Sequence, residues 1–317
     1  TASSSVRLPL SRTVNLPQSS LSFLARAITS PSSVSASLRS SSGLLSINVL
    51  LWLVSTFVLG KTWPVDFVWS GWPALQCLLI LARADHGAEC SSKRQMAVCV
   101  LVAVWGYRLT HNFVSRGGIG HEDWRYVNMR RQFGAHFWWI SLFSVFLGQT
   151  IFLFAACLPL YDALADSSAF PTATDGAAIT VAALAILLEA IADGQMDAHI
   201  AAKREKRTDV QVLRTGLWAW SRHPNYLGEM TWWWGVWLFS RAGTPAPALF
   251  PGLAGPLSIT FLFTAISVKL LEDRQLANKG DEYRAYMREV PSKLLLLPPV
   301  VGRWLGSRLG GTAPGQY

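Results

Sequence analysis

Seven stretches of mostly apolar residues, near 44–60, 67–82, 95–113, 137–160, 177–192, 230–240 and 253–271, alternate along the chain with short polar connections. Each approaches the ~20 residues that carry an α-helix across a bilayer core. Because backbone amides in lipid must pair within their own segment, the pattern predicts an all-α, multi-pass integral membrane helix bundle of about six or seven transmembrane helices. The shorter runs are alternatively interfacial. Trp52, Trp63, Trp69, Trp72, Trp138 and Trp139 are expected at the headgroup level, as an aromatic belt.

Polar groups set against apolar helices are costly, so the places where they interrupt the pattern carry the functional signal. The sharpest is Gly216-Leu217-Trp218-Ala219-Trp220-Ser221-Arg222-His223-Pro224-Asn225-Tyr226-Leu227-Gly228-Glu229, directly before the apolar run Met230–Phe239. Pro224 suits the first turn of a helix. That helix start is a natural anion site, with Arg222 and His223 beside it. Asn225 and Glu229 then share a face at i, i+4, with Tyr226 and Met230 on the adjacent stripe. One turn into an apolar helix, Glu229 is expected to have a raised pKa and to be neutral, a donor to a substrate oxygen; its alternative is pairing with an arginine such as Arg108 or Arg125.

Two further clusters accompany it. Glu189, Asp193 and Asp197 recur every four residues, which aligns three carboxylates on one helix face and calls for a compensating donor. Upstream, Arg108 and His111 share a face, a Gly-rich turn (Gly117, Gly118, Gly120) follows, and then Glu122-Asp123-Trp124-Arg125-Tyr126 and Arg130-Arg131. Arg108, Arg116 and Arg125 can clamp phosphate or carboxylate groups; equally, these arginines can snorkel to headgroups or pair with Glu122 and Asp123.

Composition confirms the membrane reading and narrows the partners: 51% of the 317 residues are hydrophobic and only 15% are charged, unlike a soluble domain. The net charge of +9 does not indicate nucleic acid, because the basic residues sit in short connections such as Lys203-Arg204-Glu205-Lys206-Arg207, as in cytosolic loops of membrane proteins. Cys77, Cys90, Cys99 and Cys157 have no metal or disulfide spacing, and no metal site is expected. Residues 1–43 are Ser-rich, with recurrent arginines and no acidic residue before Asp66, which fits either a transit-peptide-like segment or a disordered tail.

Ser221-Arg222-His223-Pro224-Asn225-Tyr226-Leu227-Gly228-Glu229, with Gly216-Leu217-Trp218 before it, resembles the motif of the DUF1295 membrane proteins. These belong with the steroid 5-alpha-reductase C-terminal domain superfamily, which also includes sterol reductases and isoprenylcysteine carboxyl methyltransferases. Trp105-Gly106-Tyr107-Arg108-Leu109, Arg116, the Glu122–Tyr126 block and Asp281-Glu282-Tyr283-Arg284-Ala285-Tyr286 extend the likeness over roughly residues 45–300. The resemblance implies a membrane domain over 44–300, followed by a flexible tail at 301–317.

It further implies an enzyme that uses NADPH to reduce a carbon–carbon double bond in a lipophilic small-molecule substrate (steroid, sterol, enoyl or isoprenoid), in contact with membrane lipids. Position by position, Asp193, Asp197, Arg204, Asn225, Tyr283 and Tyr286 match cofactor-binding positions, to which the residue pattern adds Arg222, His223, Arg108, Arg116 and Arg125. Glu229, Tyr226 and His223 are the catalytic candidates. The reductases carry Asn at the position of Asp193, and the first helices show no match to their catalytic Tyr and Glu. The methyltransferases share a similar Arg-His-Pro-x-Tyr-x-Gly core, which makes S-adenosylmethionine-dependent methyl transfer the alternative; a non-catalytic lipid-binding protein is a third. The expected membrane is the endoplasmic reticulum or, with a transit peptide, that of a plastid or mitochondrion.

Overall fold

The computed structural model describes residues 31–83, 92–243, 252–301 and 304. Residues 1–30 of the Ser-rich segment, Cys90 and most of the 301–317 tail lie outside them. The described residues form helices without strands: α1 (Pro31–Val54) with a π turn at Ser55–Leu59, α2 (Pro64–Arg83), α3 (Ser92–Ser115), α4 (Trp124–Phe133) and α5 (Phe137–Ser141). A π turn at Leu142–Leu147 continues α5 into α6 (Gly148–Ala165); α7 (Ala173–Arg204) and α8 (Pro224–Phe239) follow. Last, α9 (Ala254–Phe261) runs through a π turn at Leu262–Ser267 into α10 (Val268–Glu289).

Six segments among the described residues are long and apolar enough to cross a membrane, so the chain is a multi-pass, all-α membrane protein. The seventh apolar run, α8, spans only 16 residues and lies inside the bundle, where Gly228, Glu229, Trp232, Trp233 and Gly235 are buried. Its partner is α7, and this is the most extensive helix pairing in the fold. Small residues permit it, since lipid gives apolar helices no hydrophobic reason to associate and close backbone packing must supply the attraction. Ala178, Ala182 and Ala185 face α8, and a Cβ on Gly228 would sit 2.4 Å from Cγ of Glu189.

Helix starts follow local chemistry. Thr172 and Asp175 form a reciprocal capping box on α7, and the Asp123 side chain accepts the amide of Arg125 at the start of α4. Near its end α10 kinks at Gly280, whose φ of +51° favours glycine, and beyond the kink Tyr283 and Tyr286 pack with Val212 and Val290. The six tryptophans expected in an aromatic belt differ in burial, with Trp63, Trp69 and Trp138 half-buried. Trp52 and Trp72 are buried, because the indole of Trp52 donates to the carbonyl of Trp138 and Trp72 joins the main core, whereas Trp139 is exposed.

The bundle has two chemically distinct ends. Asp66 at the start of α2, Arg116 just past the end of α3 and the C-terminal half of α7 share one end with the start of α8. At the other, Arg94 is fully buried and holds Asp175 through two 2.8 Å bonds, Asp166 at 3.2 Å, and carbonyls of the 166–169 turn. Removing one partner of such a pair strands the other charge in a dry site. Arg94→Ala is therefore expected to lower unfolding stability in detergent by about 3–5 kcal/mol, measurable by denaturant titration against the wild type.

Candidate functional site

The three aligned carboxylates of α7 meet their donors on α3. Arg108 pairs with Glu189 and, at 2.7 Å, with Asp193. Asn112, one turn further, donates to the same oxygen of Asp193 at 3.0 Å. Arg116 then reaches Asp197 at 2.7 Å and the other oxygen of Asp193 at 3.6 Å. From α8, Asn225 approaches Asp193 at 3.4 Å. The structure thus gathers Arg108, Arg116, Asp193, Asp197 and Asn225 from three helices. Three acidic side chains here face two guanidinium groups, and Oε1 of the buried Glu189 has no protein partner.

A second assembly surrounds the Arg-His-Pro turn. The Nε of Arg222 bonds Glu272 on α10 at 2.7 Å, and its Nη1 donates to the carbonyls of Val290 and Pro291 at 2.7 and 2.9 Å. His223 Nε2 lies 3.2 Å from the same Glu272 oxygen. The hydroxyl of Tyr286 donates to the carbonyl of Trp218 at 2.7 Å, and the amides of Arg222 and His223 bond the carbonyls of Ser292 and Lys293. Arg222, Tyr283 and Tyr286, read from the sequence as cofactor-binding, here fasten the turn to the C-terminal segment. Burial pushes the His223 imidazole below its ordinary pKa, while the neighbouring Glu272 pulls the other way.

Between these assemblies and the lipid-facing helices lies a cavity of about 630 Å³, within the range of small-molecule sites. Its apolar lining comes from Phe67, Leu109, Phe113, Phe152, Phe263 and Ile266. Asp66, Asn112, Arg116, Arg125, Tyr126 and Tyr226 supply the polar groups. Ser144 and Val145 from one π turn, and Leu262, Phe263, Ile266 and Ser267 from the other, line it as well. Such turns are frequent at functional sites, because the extra residue re-aims side chains without ending the helix. Tyr226 stacks on His223 with ring centres 5.7 Å apart and leans on Phe263 at 4.7 Å, which joins the cavity to the Arg-His-Pro turn.

The remaining sequence candidates fall in different places. Arg125 stands at the cavity rim, paired with Asp123 at 2.7 Å, and Arg130 pairs with Glu122 at 2.9 Å, as the carboxylate-pairing reading allows. Arg204 is exposed at the end of α7, away from the ladder. Glu229 is buried, which pushes its pKa up as expected, and it hydrogen-bonds three indoles rather than an arginine, with Arg108 acting on it only through its charge. Sequence reading missed Asp66 and Tyr126, whose hydroxyl donates to Asp66 at 3.1 Å across 60 residues of chain. The available signal was that Asp66 is the first acidic residue of the chain and sits beside an apolar run. Glu272 was missed too.

Two features of this end of the bundle bear on whether its residues could hold a phosphate-bearing nucleotide. The start of α8 has no side-chain cap, and Nδ1 of the buried His223 has no protein partner. Asn112, Arg116 and Tyr226 then lead from that start into the cavity. Among the described residues no group of three or more His, Cys, Asp or Glu side chains is arranged to hold a metal ion.

Six membrane-crossing segments and a cavity with polar groups at one end define a multi-pass membrane protein with a candidate small-molecule site. The chain belongs to the family described as protein of unknown function DUF1295, whose sequence model matches residues 51–290. It is 30% identical over 219 residues to the uncharacterized protein C594.04c of Schizosaccharomyces pombe, covering 59% of this chain and 63% of that one. It is also 29% identical over 112 residues to the protein-S-isoprenylcysteine O-methyltransferase of the same yeast, covering 33% of this chain and 41% of the relative. In both cases the match spans less than two thirds of the relative's length. No solved structure matches the chain.

One pH dependence follows from His223. Its folded pKa lies below the ordinary 6.5, so below about that pH the unfolded chain binds the extra proton and stability falls as pH drops. Melting curves between pH 7.5 and 5.5 are expected to show this loss, and His223→Gln is expected to flatten it.

Proposed function

We propose that the protein is a membrane-embedded reductase that saturates a carbon–carbon double bond of a lipophilic substrate, with NADPH as cofactor. The observation that carries this reading is the Tyr126–Asp66 couple on the wall of a largely apolar cavity, with Tyr226 also lining it. A phenol hydrogen-bonded to a carboxyl group is a proton-handling arrangement, which reduction of a conjugated alkene needs and methyl transfer from a sulfonium does not. NADPH, when bound, supplies the hydride. For the proton step a protonated Asp66 donates to Tyr126 Oη, which frees the phenol proton for the substrate's carbonyl oxygen as hydride arrives at the β-carbon. The apolar wall of Phe67, Phe113, Phe152 and Phe263 holds the substrate body and excludes water. The uncapped start of α8, with His223, Asn112 and Arg116, holds polar groups of the cofactor.

A second reading has its own support. The acidic side chains of the α3–α7 ladder outnumber its guanidinium groups three to two, which suits a cationic ligand group, and one relative is a methyltransferase by name, so S-adenosylmethionine is the competing cofactor.

The test is thermal-shift titration of the detergent-purified protein with NADPH, NADH and S-adenosylmethionine. Stabilisation by NADPH that Asn225→Ala weakens is the expected result. Stabilisation by S-adenosylmethionine alone would overturn the reductase reading, and stabilisation by none would favour a lipid-binding protein without catalysis. With an enone substrate in hand, Tyr126→Phe is expected to lower turnover by about 10²–10⁴-fold, the usual contribution of a positioned acid.

A further inference from the structure

Glu229 has a role that neither the proton-handling couple nor the cofactor contacts require. Its carboxylate is buried in α8 and receives three indole N–H groups. Trp69 of α2 and Trp233 of α8 donate to Oε1 at 3.1 and 3.2 Å, and Trp105 of α3 donates to Oε2 at 3.0 Å. An indole nitrogen can only donate, so this shell needs an acceptor with lone pairs on both oxygens, which a carboxyl group offers. Two of the indoles are fixed independently of Glu229: Trp105 stacks on Trp232 with centres 5.5 Å apart and interplanar angle 9°, and packs edge-on to Trp233 at 5.4 Å.

Trp69 is different. It is the member of the trio that lines the cavity, one turn after Asp66 and next to Ser70. Glu229 stands one turn after Tyr226, another lining residue. The carboxylate therefore ties two walls of the cavity together, and one indole carries the connection.

We propose that Glu229 is a positioning residue that, by holding the indole of Trp69, fixes the shape of the cavity and so selects which lipophilic ligand enters it. This assignment is independent of which cofactor the protein uses. The residue type follows from the shell. Glutamine would offer one carbonyl oxygen and an amide donor that opposes an indole N–H, while aspartate is one methylene shorter and does not span from α8 to both α2 and α3.

Selectivity is the readout that a purely structural residue would not move. The full chain, labelled with 5-fluorotryptophan and reconstituted in nanodiscs, is titrated with two probes, a 3-oxo-4-ene steroid and a straight-chain 2-enoyl ester. Binding is followed by ¹⁹F shifts, with the Trp69 resonance assigned from Trp69→Phe. The wild type is expected to distinguish the two probes. Glu229→Gln is expected to displace the Trp69 resonance and change the ratio of the two affinities by tenfold or more. Trp69→Phe, which leaves the carboxylate and its other donors in place, is expected to change that ratio similarly, with the double variant adding little. A Trp69 resonance unmoved in Glu229→Gln overturns the inference. So does a wild type without preference, or a ratio that Trp69→Phe leaves unchanged, and the latter remains decisive if Glu229→Gln fails to fold.

Discussion

Charge pairing inside an apolar bundle is the constraint on which the rest of this structure depends. Glu189, Asp193 and Asp197 rise along α7, and within a bilayer-facing fold such groups must meet donors or lose their charge. Arg108, Asn112 and Arg116 supply those donors from successive turns of α3, which fixes the axial register of α3 against α7. Gly228 then lets α8 lie directly over Glu189, and Asn225 reaches Asp193 from above. Shifting any of these helices by one turn would leave a charge unpaired in a site too dry to solvate it, at a cost of several kcal/mol.

With that register set, the polar groups of the cavity and of the Arg-His-Pro turn gather at one end of the molecule. The Arg222–Glu272 pair closes the C-terminal segment under the Arg-His-Pro turn, and Tyr226 is carried from that turn into the cavity. Both π turns that line the cavity interrupt helices that otherwise pack closely. On the far side, α9 approaches α6 so tightly that a Cβ on Gly255 would lie 3.0 Å from the carbonyl oxygen of Ala155. Ser144 on one π turn and Ile266 on the other are both exposed and both line the cavity, so it opens to the surface of the bundle between the two π turns. A largely apolar cavity with a few polar groups suits an apolar molecule with an oxygen-bearing head.

Much of the site was legible where spacing along a single helix expresses it. The four-residue recurrence of Glu189, Asp193 and Asp197 announced a carboxylate face in need of donors, and Pro224 marked the start of α8 to the residue. Partners distant in the chain left no such trace. Asp66 meets Tyr126 and Arg222 meets Glu272 through tertiary packing, and neither pairing has a periodicity to read. Arg222 was recognisable as important, yet whether its guanidinium faces a ligand or carbonyls is decided by where the segment after α10 returns. Glu229 shows the same limit: an acid in an apolar helix is conspicuous, but the indoles around it come from three helices. Trp69 reads from the sequence as a headgroup-level residue and Trp105 as part of a family block, and neither reading shows that the fold turns their N–H groups onto one carboxyl group.

The central claim is that a site of this construction moves hydride, with a protein acid completing the reaction on a lipid-phase substrate. The direct measurement supplies the reconstituted protein with a membrane lipid extract, NADPH deuterated at both C4 positions and S-adenosylmethionine bearing a ¹³C methyl group, and follows both labels by mass spectrometry. The account predicts deuterium in a lipid product that has gained two hydrogens, and no transferred methyl. A ¹³C-methylated product without deuterium would contradict it.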